Sequence, residues 1–223
     1  MRFDPSVYLV VGRDFTCGRE LPGLVTEAVA GGVTMVQLRE KEADFLEFLE
    51  LAKALKRALA PSGTPLIIND SLEIARSVNA EGVHLGQSDL PVAEARRILG
   101  PEAWIGLSVE TRVQAQDANT LPVDYLGISP VFASASKVDT ETPWGLDGVE
   151  WLHACSRHPL IGIGGITSEN AASVIESGAQ GVAVISAICS AQSPRTAAEE
   201  LSRVVRAALH CQKSPSKEGC QPS

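Results

Sequence analysis

Short apolar runs alternate with longer amphipathic segments along the chain. The runs are rich in Val, Ile and Leu, which is typical of strands that are buried on both faces of a sheet. Tight turns or helical patterns separate them, so each run is predicted to be one strand of a repeating unit. The eight predicted strands are Val7–Val11, Met35–Glu40, Leu66–Asn69, Gly82–Gly86, Trp104–Val109, Tyr125–Ile128, Leu160–Gly164 and Gly181–Ser186.

Helices are predicted between these strands. The clearest is Phe45–Leu59, and Pro91–Leu99 and Pro194–His210 each carry a proline near the start, where the first turn of a helix tolerates it. Apolar side chains recur at helical spacing in the first of these and predict one buried face. That face comprises Phe45, Leu46, Phe48, Leu49, Ala52, Leu55 and Leu59.

Alternating strands and helices with short links require parallel strands and right-handed crossovers. Eight units in 223 residues favour a closed barrel over an open doubly wound sheet. A dinucleotide-binding sheet would need a glycine motif after the first strand, where Gly12 stands alone. The predicted fold class is therefore α/β, a single (β/α)₈ TIM barrel formed by residues 1–211, followed by a disordered tail at residues 212–223.

Charge and composition narrow the function further. The chain has 19 Lys and Arg against 27 Asp and Glu, a formal net charge of −8, which argues against a nucleic-acid partner. No apolar segment is long enough to span a bilayer or to form the core of a signal peptide, so no membrane partner is expected. The five scattered cysteines favour reduced thiols and a cytoplasmic protein.

The second strand carries polar side chains at alternate positions. Gln37, Arg39 and Lys41 fall on one face of a strand, while Val36 and Leu38 fall on the other. Two cations facing the barrel mouth would be costly without partners, so a bound anion explains them. A structural ion pair with carboxylates of neighbouring strands is the alternative, because such networks are common.

Two acids follow the next two strands. Asn69 and Asp70 end the third strand, and Asp89 follows the fourth, so both carboxylates are expected at the same mouth. Hard oxygen ligands of this kind suit Mg²⁺ completed by water and a diphosphate. Each acid alone is better explained as a helix cap, because Asp70 precedes Glu73 at capping-box spacing and Asp89 shortly precedes a helix. Their coincidence with the cations favours the metal.

Glycine-rich and small residues end the last two strands. The turn 162–167 follows the seventh strand and the segment 184–187 follows the eighth, where barrels commonly cradle a phosphate with backbone N–H groups. The alternative is a pair of tight turns in which glycine only relieves crowding. A long connection at residues 129–146 follows the sixth strand on the same face of the barrel, and connections of that length are usually functional or disordered.

Taken in order, these motifs resemble the thiamine-phosphate synthase family over roughly Val7 to His210. The resemblance is carried by Gln37-Leu-Arg-Glu-Lys41, Asn69-Asp70, Gly86-Gln-Ser-Asp89, Gly106-Leu-Ser108, Pro130-Val-Phe132, Gly162-Ile-Gly-Gly-Ile-Thr167 and Ile185-Ser-Ala187. It implies a transferase that joins a hydroxymethylpyrimidine diphosphate to a thiazole phosphate and releases pyrophosphate, with Mg²⁺ as cofactor. The expected partners are these two small-molecule substrates, and a homo-oligomer is compatible with the resemblance.

The resemblance also implies roles for individual residues. Arg39, Lys41 and Lys137 would neutralise the departing pyrophosphate, and Asp70 and Asp89 would hold Mg²⁺. Residues expected to bind the pyrimidine diphosphate are Gln37, Leu38, Arg39, Glu40, Lys41, Asn69, Ser108 and Lys137. Residues expected to bind the thiazole phosphate are Ser134, Ala135, Ser136, Gly165, Ile185 and Ser186.

Three departures from the family pattern bear on function. Ser134 and Ser136 stand where Thr is typical, which keeps the hydroxyl and loses a methyl group, and Ala133 stands where Pro is frequent. Glu110 stands where related proteins often carry His, and a His in this region looks catalytic in thiazole tautomerases. A tautomerase paralogue and a non-catalytic, thiazole-phosphate-binding paralogue are the alternative functions. Asp89 and the complete set of strand-two residues argue against both.

Overall fold

Eight parallel strands form a closed barrel in which the first and last strands pair with each other. The structure is a computed structural model, and it describes residues 3–133 and 142–212. The strands are β1 (Val7–Val11), β2 (Met35–Leu38), β3 (Leu66–Asn69), β4 (Gly82–Leu85), β5 (Trp104–Val109), β6 (Tyr125–Ile128), β7 (Leu160–Ile163) and β8 (Gly181–Val184). The predicted TIM barrel is confirmed.

Helices surround the barrel. They are α1 (Leu21–Ala30), α2 (Phe45–Leu59), α3 (Leu72–Ser77), α4 (Val92–Leu99), α5 (Arg112–Ala118), α6 (Gly145–Cys155), α7 (Ala171–Glu176), α8 (Ser186–Cys189) and α9 (Pro194–Gln212). Within the described residues, none of these helices is both long and apolar enough to cross a membrane. Helix α9 runs through Gln212, and the rest of the predicted tail lies outside the described residues.

The predicted strand starts agree with the structure, whereas four strands end earlier than predicted. β2 ends at Leu38 instead of Glu40, and β4, β7 and β8 lose one or two residues at the same end. These are the carboxyl ends, where the backbone leaves the regular ladder to enter the loops of the barrel mouth. Single hydrogen bonds continue past the last paired residue, such as the Arg39 N–H to the Val11 carbonyl at 2.9 Å.

Helix α2 has the predicted bounds, and Asp44 caps its start by accepting a hydrogen bond from the Glu47 N–H at 2.9 Å. Its predicted apolar face was wrong at the first turn. Phe45 is 43% exposed and Leu46 is 69% exposed, while Phe48, Ala52, Leu55 and Leu59 are buried and Leu49 is half-buried. Helical spacing fixes which side of a helix is apolar, but it does not fix where along the axis the covering layer begins.

The barrel has two hydrophobic layers because successive side chains of each strand point to opposite faces. The outer layer lies between the strands and the helices and includes Val36 and Leu38, as predicted. The inner layer fills the barrel and consists of Tyr8, Val10, Met35, Ile67, Tyr125, Ile161 and Ala183. Phe3 packs against the rings of Trp104 and Tyr125 with centroids 5.1 and 5.6 Å away, so aromatic side chains occupy the amino-terminal end of the barrel.

A glycine in β5 provides the space for one of these rings. A Cβ atom at Gly106 would overlap the ring and hydroxyl of Tyr125, which is fully buried. The ring has little freedom to withdraw, because Tyr8, His84 and Phe3 surround it. The interior of this barrel therefore depends on a small residue opposite a large one.

We expect Gly106→Ala to lower the free energy of unfolding by about 1–3 kcal/mol, the usual cost of overpacking a core. Gly23→Ala is the matched control, since that exposed glycine lies in α1 and a Cβ there meets no atom within 4 Å. The control should be neutral or slightly stabilising, because alanine is the better helix former. Urea denaturation measures both variants, and equal stability of Gly106→Ala and the parent would contradict this account of the core.

Candidate active site

Two adjoining cavities open at the carboxyl-terminal mouth of the barrel. The inner one, about 80 Å³, lies among strand side chains, several of them apolar: Val10, Ile161, Ile163, Ala183 and Ile185. The outer one, about 380 Å³, is lined by charged and polar residues that include Lys41, Asp70, Gln87, Asp89 and Glu110. The two share four lining residues, which are Arg39, Asn69, His84 and Ser108. They therefore form one continuous site with an apolar inner end and a polar rim.

Strand two and its extension supply the cations of this site. Gln37 is 4% exposed and lines the inner cavity, Arg39 is half-buried and lines both, and Lys41 is exposed and lines the outer one. All three line the mouth, although the regular strand ends at Leu38. Among the ion pairs between described residues, none includes Arg39 or Lys41. Both cations act on the Asp70 carboxylate from a distance, because each lowers the pKa of that group. The described residues thus give them no direct ion pair, and an anion could bind to both.

Leu38 and Glu40, which alternate with the cations along the chain, do not direct their side chains into the cavities. The Leu38 side chain is fully buried in the outer layer, so only its backbone can reach the mouth. The Glu40 carboxylate accepts hydrogen bonds from the Arg13 N–H at 2.6 Å and from Arg13 Nε at 3.3 Å. Glu40 thereby fixes the loop that follows β1, and it lines neither cavity. Direct contact of these two side chains with a substrate stays a prediction that this geometry does not favour.

Neither predicted acid caps a helix. The cap of α3 is Ser71, whose hydroxyl accepts from the Ile74 N–H at 3.3 Å, and the residue preceding α4 is Pro91, which offers no side-chain cap. Asp89 instead accepts a hydrogen bond from the Gly86 N–H at 2.6 Å within its own loop. The capping alternative was therefore wrong for both residues. Their carboxylates remain at the outer cavity, where they line the same wall as Arg39 and Lys41.

The two carboxylates interact with each other. Burial raises the pKa of Asp70 to about 7, and hydrogen bonding to Asp89 and repulsion by its charge act in the same direction. Arg39 and Lys41 oppose this rise only in part. Asp70 is held at a backbone φ of +62°, a conformation that costs energy for a residue other than glycine. Close like charges on a constrained backbone are typical of functional sites rather than of surfaces selected for stability.

The opposite side of the mouth contains the predicted glycine turn. Gly164 and Gly165 have φ values of +103° and +63°, and a Cβ at Gly165 would lie 2.8 Å from the Ala133 carbonyl oxygen. The turn packs against the loop after β6, and the Phe132 N–H donates to the Gly164 carbonyl at 3.1 Å. Conformation and crowding thus already require glycine here. A phosphate cradle at Gly165, Ile185 and Ser186 stays a prediction, and Ser134, Ala135, Ser136 and Lys137 lie outside the described residues.

Sequence reasoning missed three residues of the site. A lone histidine inside a strand, such as His84, is more often a packing residue with satisfied hydrogen bonds. His84 does bond to Ser108 and Tyr125, but it also lines both cavities. Tyr8 and Tyr125 were assigned no role, yet both line the inner cavity. The alternation that placed Gln37 inside the barrel also places these residues there. Period-two alternation in β1, β4 and β6 is therefore the sequence signal that could have found them.

Known proteins match this chain over nearly its whole length. The family model described as "Thiamine monophosphate synthase" matches residues 7–188. A thiamine-phosphate synthase of Albidiferax ferrireducens is 50% identical over 201 residues, which cover 90% of this chain and 92% of that protein. One of Vibrio parahaemolyticus is 46% identical and covers 82% and 91%. The solved thiamine phosphate pyrophosphorylase of Pyrococcus furiosus has a TM-score of 0.83 at 33% identity and covers 92% and 97%.

The barrel, with polar residues gathered at its carboxyl-terminal mouth, defines a (β/α)₈-barrel enzyme. The chain belongs to the thiamine monophosphate synthase family. It is a transferase of thiamine biosynthesis with thiamine-phosphate synthase function. The resemblance on which the sequence analysis relied is thereby confirmed.

The carboxylate pair generates a prediction about stability. The pKa of Asp70 in the folded protein, about 7, lies above its ordinary value of 3.8, so the folded state holds a proton that the unfolded state releases. Stability therefore falls as pH rises from about 4 to about 7. In Asp70→Asn this fall should disappear, and without divalent metal the variant should become more stable relative to the parent across that window.

The gain should be about 1 kcal/mol or less, because Asp70 keeps much of its surface in contact with water even though its carboxyl is partly enclosed, and water screens its charge. Urea denaturation in EDTA at several pH values between 4 and 8 measures it. Asp117→Asn, an exposed change on α5, controls for the loss of one negative charge. A stability difference for Asp70→Asn that does not vary with pH would refute the coupling of the two carboxylates.

Proposed function

We propose that the protein joins 4-amino-2-methyl-5-(diphosphooxymethyl)pyrimidine to a thiazole phosphate in a Mg²⁺-dependent displacement of pyrophosphate. The observation that carries the proposal is the continuity of the two cavities. An apolar inner end with one buried amide, at Gln37, adjoins a rim with two cations and two carboxylates. A small aromatic ring attached to a diphosphate has the same arrangement of apolar and charged parts.

The pyrimidine ring would occupy the inner cavity. A cavity needs roughly 10–15 Å³ to hold one water molecule. The inner cavity, at about 80 Å³, therefore has room for several groups of that size, which is enough for one small ring. Ile161, Ile163 and Ala183 offer apolar contact, and the Gln37 amide offers a carbonyl and an N–H to a ring edge. A ring bound there would direct its methylene group towards the four residues that the cavities share.

The diphosphate would lie at the rim. Arg39 offers a planar fork and Lys41 a compact charge to phosphate oxygens, and the Asn69 amide and the Ser108 hydroxyl can donate as well. Asp70 and Asp89 would hold Mg²⁺. The described residues contain no group of three or more His, Cys, Asp or Glu that could hold a metal by itself. A site with two carboxylates fits a cation that takes its remaining oxygens from the diphosphate and water.

The reaction needs little covalent chemistry from the protein. The bond between the methylene carbon and the diphosphate oxygen breaks, and its electrons leave with pyrophosphate. The electron-rich aminopyrimidine stabilises the resulting carbocation, and the thiazole nitrogen supplies the electrons of the new C–N bond. Bound Mg²⁺ supplies positive charge to the leaving group. Arg39 and Lys41 act in the same way, together with the proposed Lys137, while the apolar inner cavity keeps water from the carbocation.

The thiazole phosphate would bind on the opposite side of the mouth. Gly165, Ile185 and Ser186 lie at the ends of β7 and β8, where barrels commonly hold a phosphate. Ser134, Ala135 and Ser136 complete the proposed set from the loop after β6. Thiazole held there would face the inner cavity, because Ile185 lines it. We also propose a cytoplasmic location, since the described cysteines are free thiols.

Formation of thiamine phosphate should require both substrates and Mg²⁺, and EDTA should abolish it until Mg²⁺ is restored. Asp89→Asn should lower kcat/KM on the order of 100-fold, the usual effect of losing one oriented electrostatic group. The asparagine oxygen can still accept from the Gly86 N–H, so the loop and the fold should persist. Thiamine phosphate is measured by conversion to a fluorescent thiochrome, and circular dichroism checks the fold.

Asp117→Asn, which removes the same charge from the outer surface of α5, should keep full activity. Full activity of Asp89→Asn would show that this carboxylate only fixes its loop. Isomerisation of a thiazole phosphate with no thiamine phosphate formed, in the presence of Mg²⁺ and both substrates, would overturn the proposed reaction.

A further inference from the structure

Five buried or half-buried side chains form one hydrogen-bonded chain across the floor of the site. Gln37 Nε2 donates to the Tyr8 hydroxyl at 2.8 Å, and the Tyr8 and Tyr125 hydroxyls are 3.0 Å apart. Tyr125 lies 3.1 Å from Nδ1 of His84, whose Nε2 lies 2.8 Å from the Ser108 hydroxyl. The chain begins at the amide in the inner cavity and ends at a hydroxyl that both cavities share.

Both phenols of this chain are neutral and have one proton each to donate. Burial raises the pKa of Tyr8 and of Tyr125 far above that of an ordinary tyrosine. Both rings are buried, so a hydroxyl that accepts from one neighbour leaves its own proton without an acceptor in the chain unless it donates to the other. The direction of donation at one end then fixes the direction at every later bond.

With a neutral imidazole at His84, only two directions satisfy all four bonds and also give each phenol proton an acceptor. When Gln37 donates, Tyr8 donates to Tyr125, Tyr125 donates to Nδ1 of His84, and Nε2–H of His84 donates to Ser108. In the reverse direction the Ser108 proton is used within the chain, and only lone pairs remain for a ligand. The donation from Gln37 Nε2 to Tyr8 selects the first direction in the free protein. Phosphate oxygens at the rim need a donor, so a bound anion favours the same direction.

We propose that Tyr8, Tyr125 and His84 are positioning residues that couple the Gln37 amide to the Ser108 hydroxyl. The chain holds His84 as its Nε2–H tautomer and leaves the Ser108 proton directed to the diphosphate. The same hydrogen bonds turn the Gln37 carbonyl away from Tyr8. The carbonyl can then accept a hydrogen bond from the amino group of the pyrimidine ring. This inference rests on the proposed function for the identity of the ring and the diphosphate.

The direction of hydrogen-bond donation from Gln37 to Ser108 can be measured without any reaction. The sequence has four histidines, so ¹⁵N chemical shifts of labelled histidine can report each tautomer, with His84→Gln assigning the signal. At about pH 8, where an ordinary imidazole is neutral, we expect one Nε2–H tautomer for His84 in the free protein. Tyr125→Phe, which keeps the ring, should give a mixture of tautomers. A fixed Nδ1–H tautomer in the parent protein would overturn the proposed direction.

Coupling to Ser108 is tested with inorganic pyrophosphate and Mg²⁺ in calorimetric titrations. Ser108→Ala and Tyr125→Phe should each weaken binding about fivefold, the usual effect of one hydrogen bond. The double variant should be no weaker than either single one, because both changes remove the same donor. Multiplying effects, or no effect of Tyr125→Phe, would refute the coupling. Tyr8→Phe breaks the same chain and replaces Tyr125→Phe if that variant does not fold.

Catalysis provides a third measurement. In Tyr8→Phe, KM for the pyrimidine diphosphate should rise about tenfold, with a smaller change in kcat and none in KM for the thiazole phosphate. A general loss of structure would lower kcat and alter both KM values, which would count against a positioning role. The tautomer and pyrophosphate measurements use no thiazole and form no product. They can therefore succeed or fail independently of the proposed reaction.

Discussion

The site depends on one geometric constraint, the alternation of side chains along strands that close into a barrel. Every second residue must face inward, and the inward residues nearest the carboxyl ends converge on one mouth. Gln37 and Asn69 belong to different strands and meet there for this reason alone. The lower inward positions are apolar or aromatic and pack against each other. Hence the barrel interior is both the core that stabilises the fold and the floor of the site.

The charges at the mouth of the barrel are arranged unfavourably for the free protein. The carboxylates of Asp70 and Asp89 repel each other, and their cationic neighbours do not cancel the effect. A surface selected only for stability would separate such charges or pair them fully. Here the four charges lie on the rim, and Arg39 is the one of them that also lines the inner cavity. In the proposed function, a ligand that brings both a cation and phosphate oxygens would relieve this unfavourable arrangement, which is how binding energy can be directed to the reacting end of a substrate.

Much of the fold and of the candidate site could be predicted from the sequence, because both follow from the periodicity of strands and helices. Strand alternation placed Gln37 and Arg39 together, and the succession of strands placed Asp70 near Asp89. Features that depend on the third dimension could not be predicted in the same way. The exposed first turn of α2, with Phe45 in it, depends on where the neighbouring layer begins. The capping alternative failed for Asp70 because Ser71 was better placed to accept the hydrogen bond, and for Asp89 because its carboxylate bonds to Gly86 within its own loop. Only the backbone conformation decides such choices.

The three missed residues, Tyr8, His84 and Tyr125, illustrate a different difficulty. Each has an ordinary explanation in a buried strand, as an aromatic or packing residue, and only their mutual contacts give them a shared role. Those contacts depend on the absence of a side chain at Gly106, which gives the Tyr125 ring its space. In the proposed reaction a carbocation forms above them, and both phenol hydroxyls and both imidazole nitrogens are already engaged in hydrogen bonds. Neutral, occupied groups are poor nucleophiles, so the same bonds that orient a substrate also keep the protein from reacting with the intermediate.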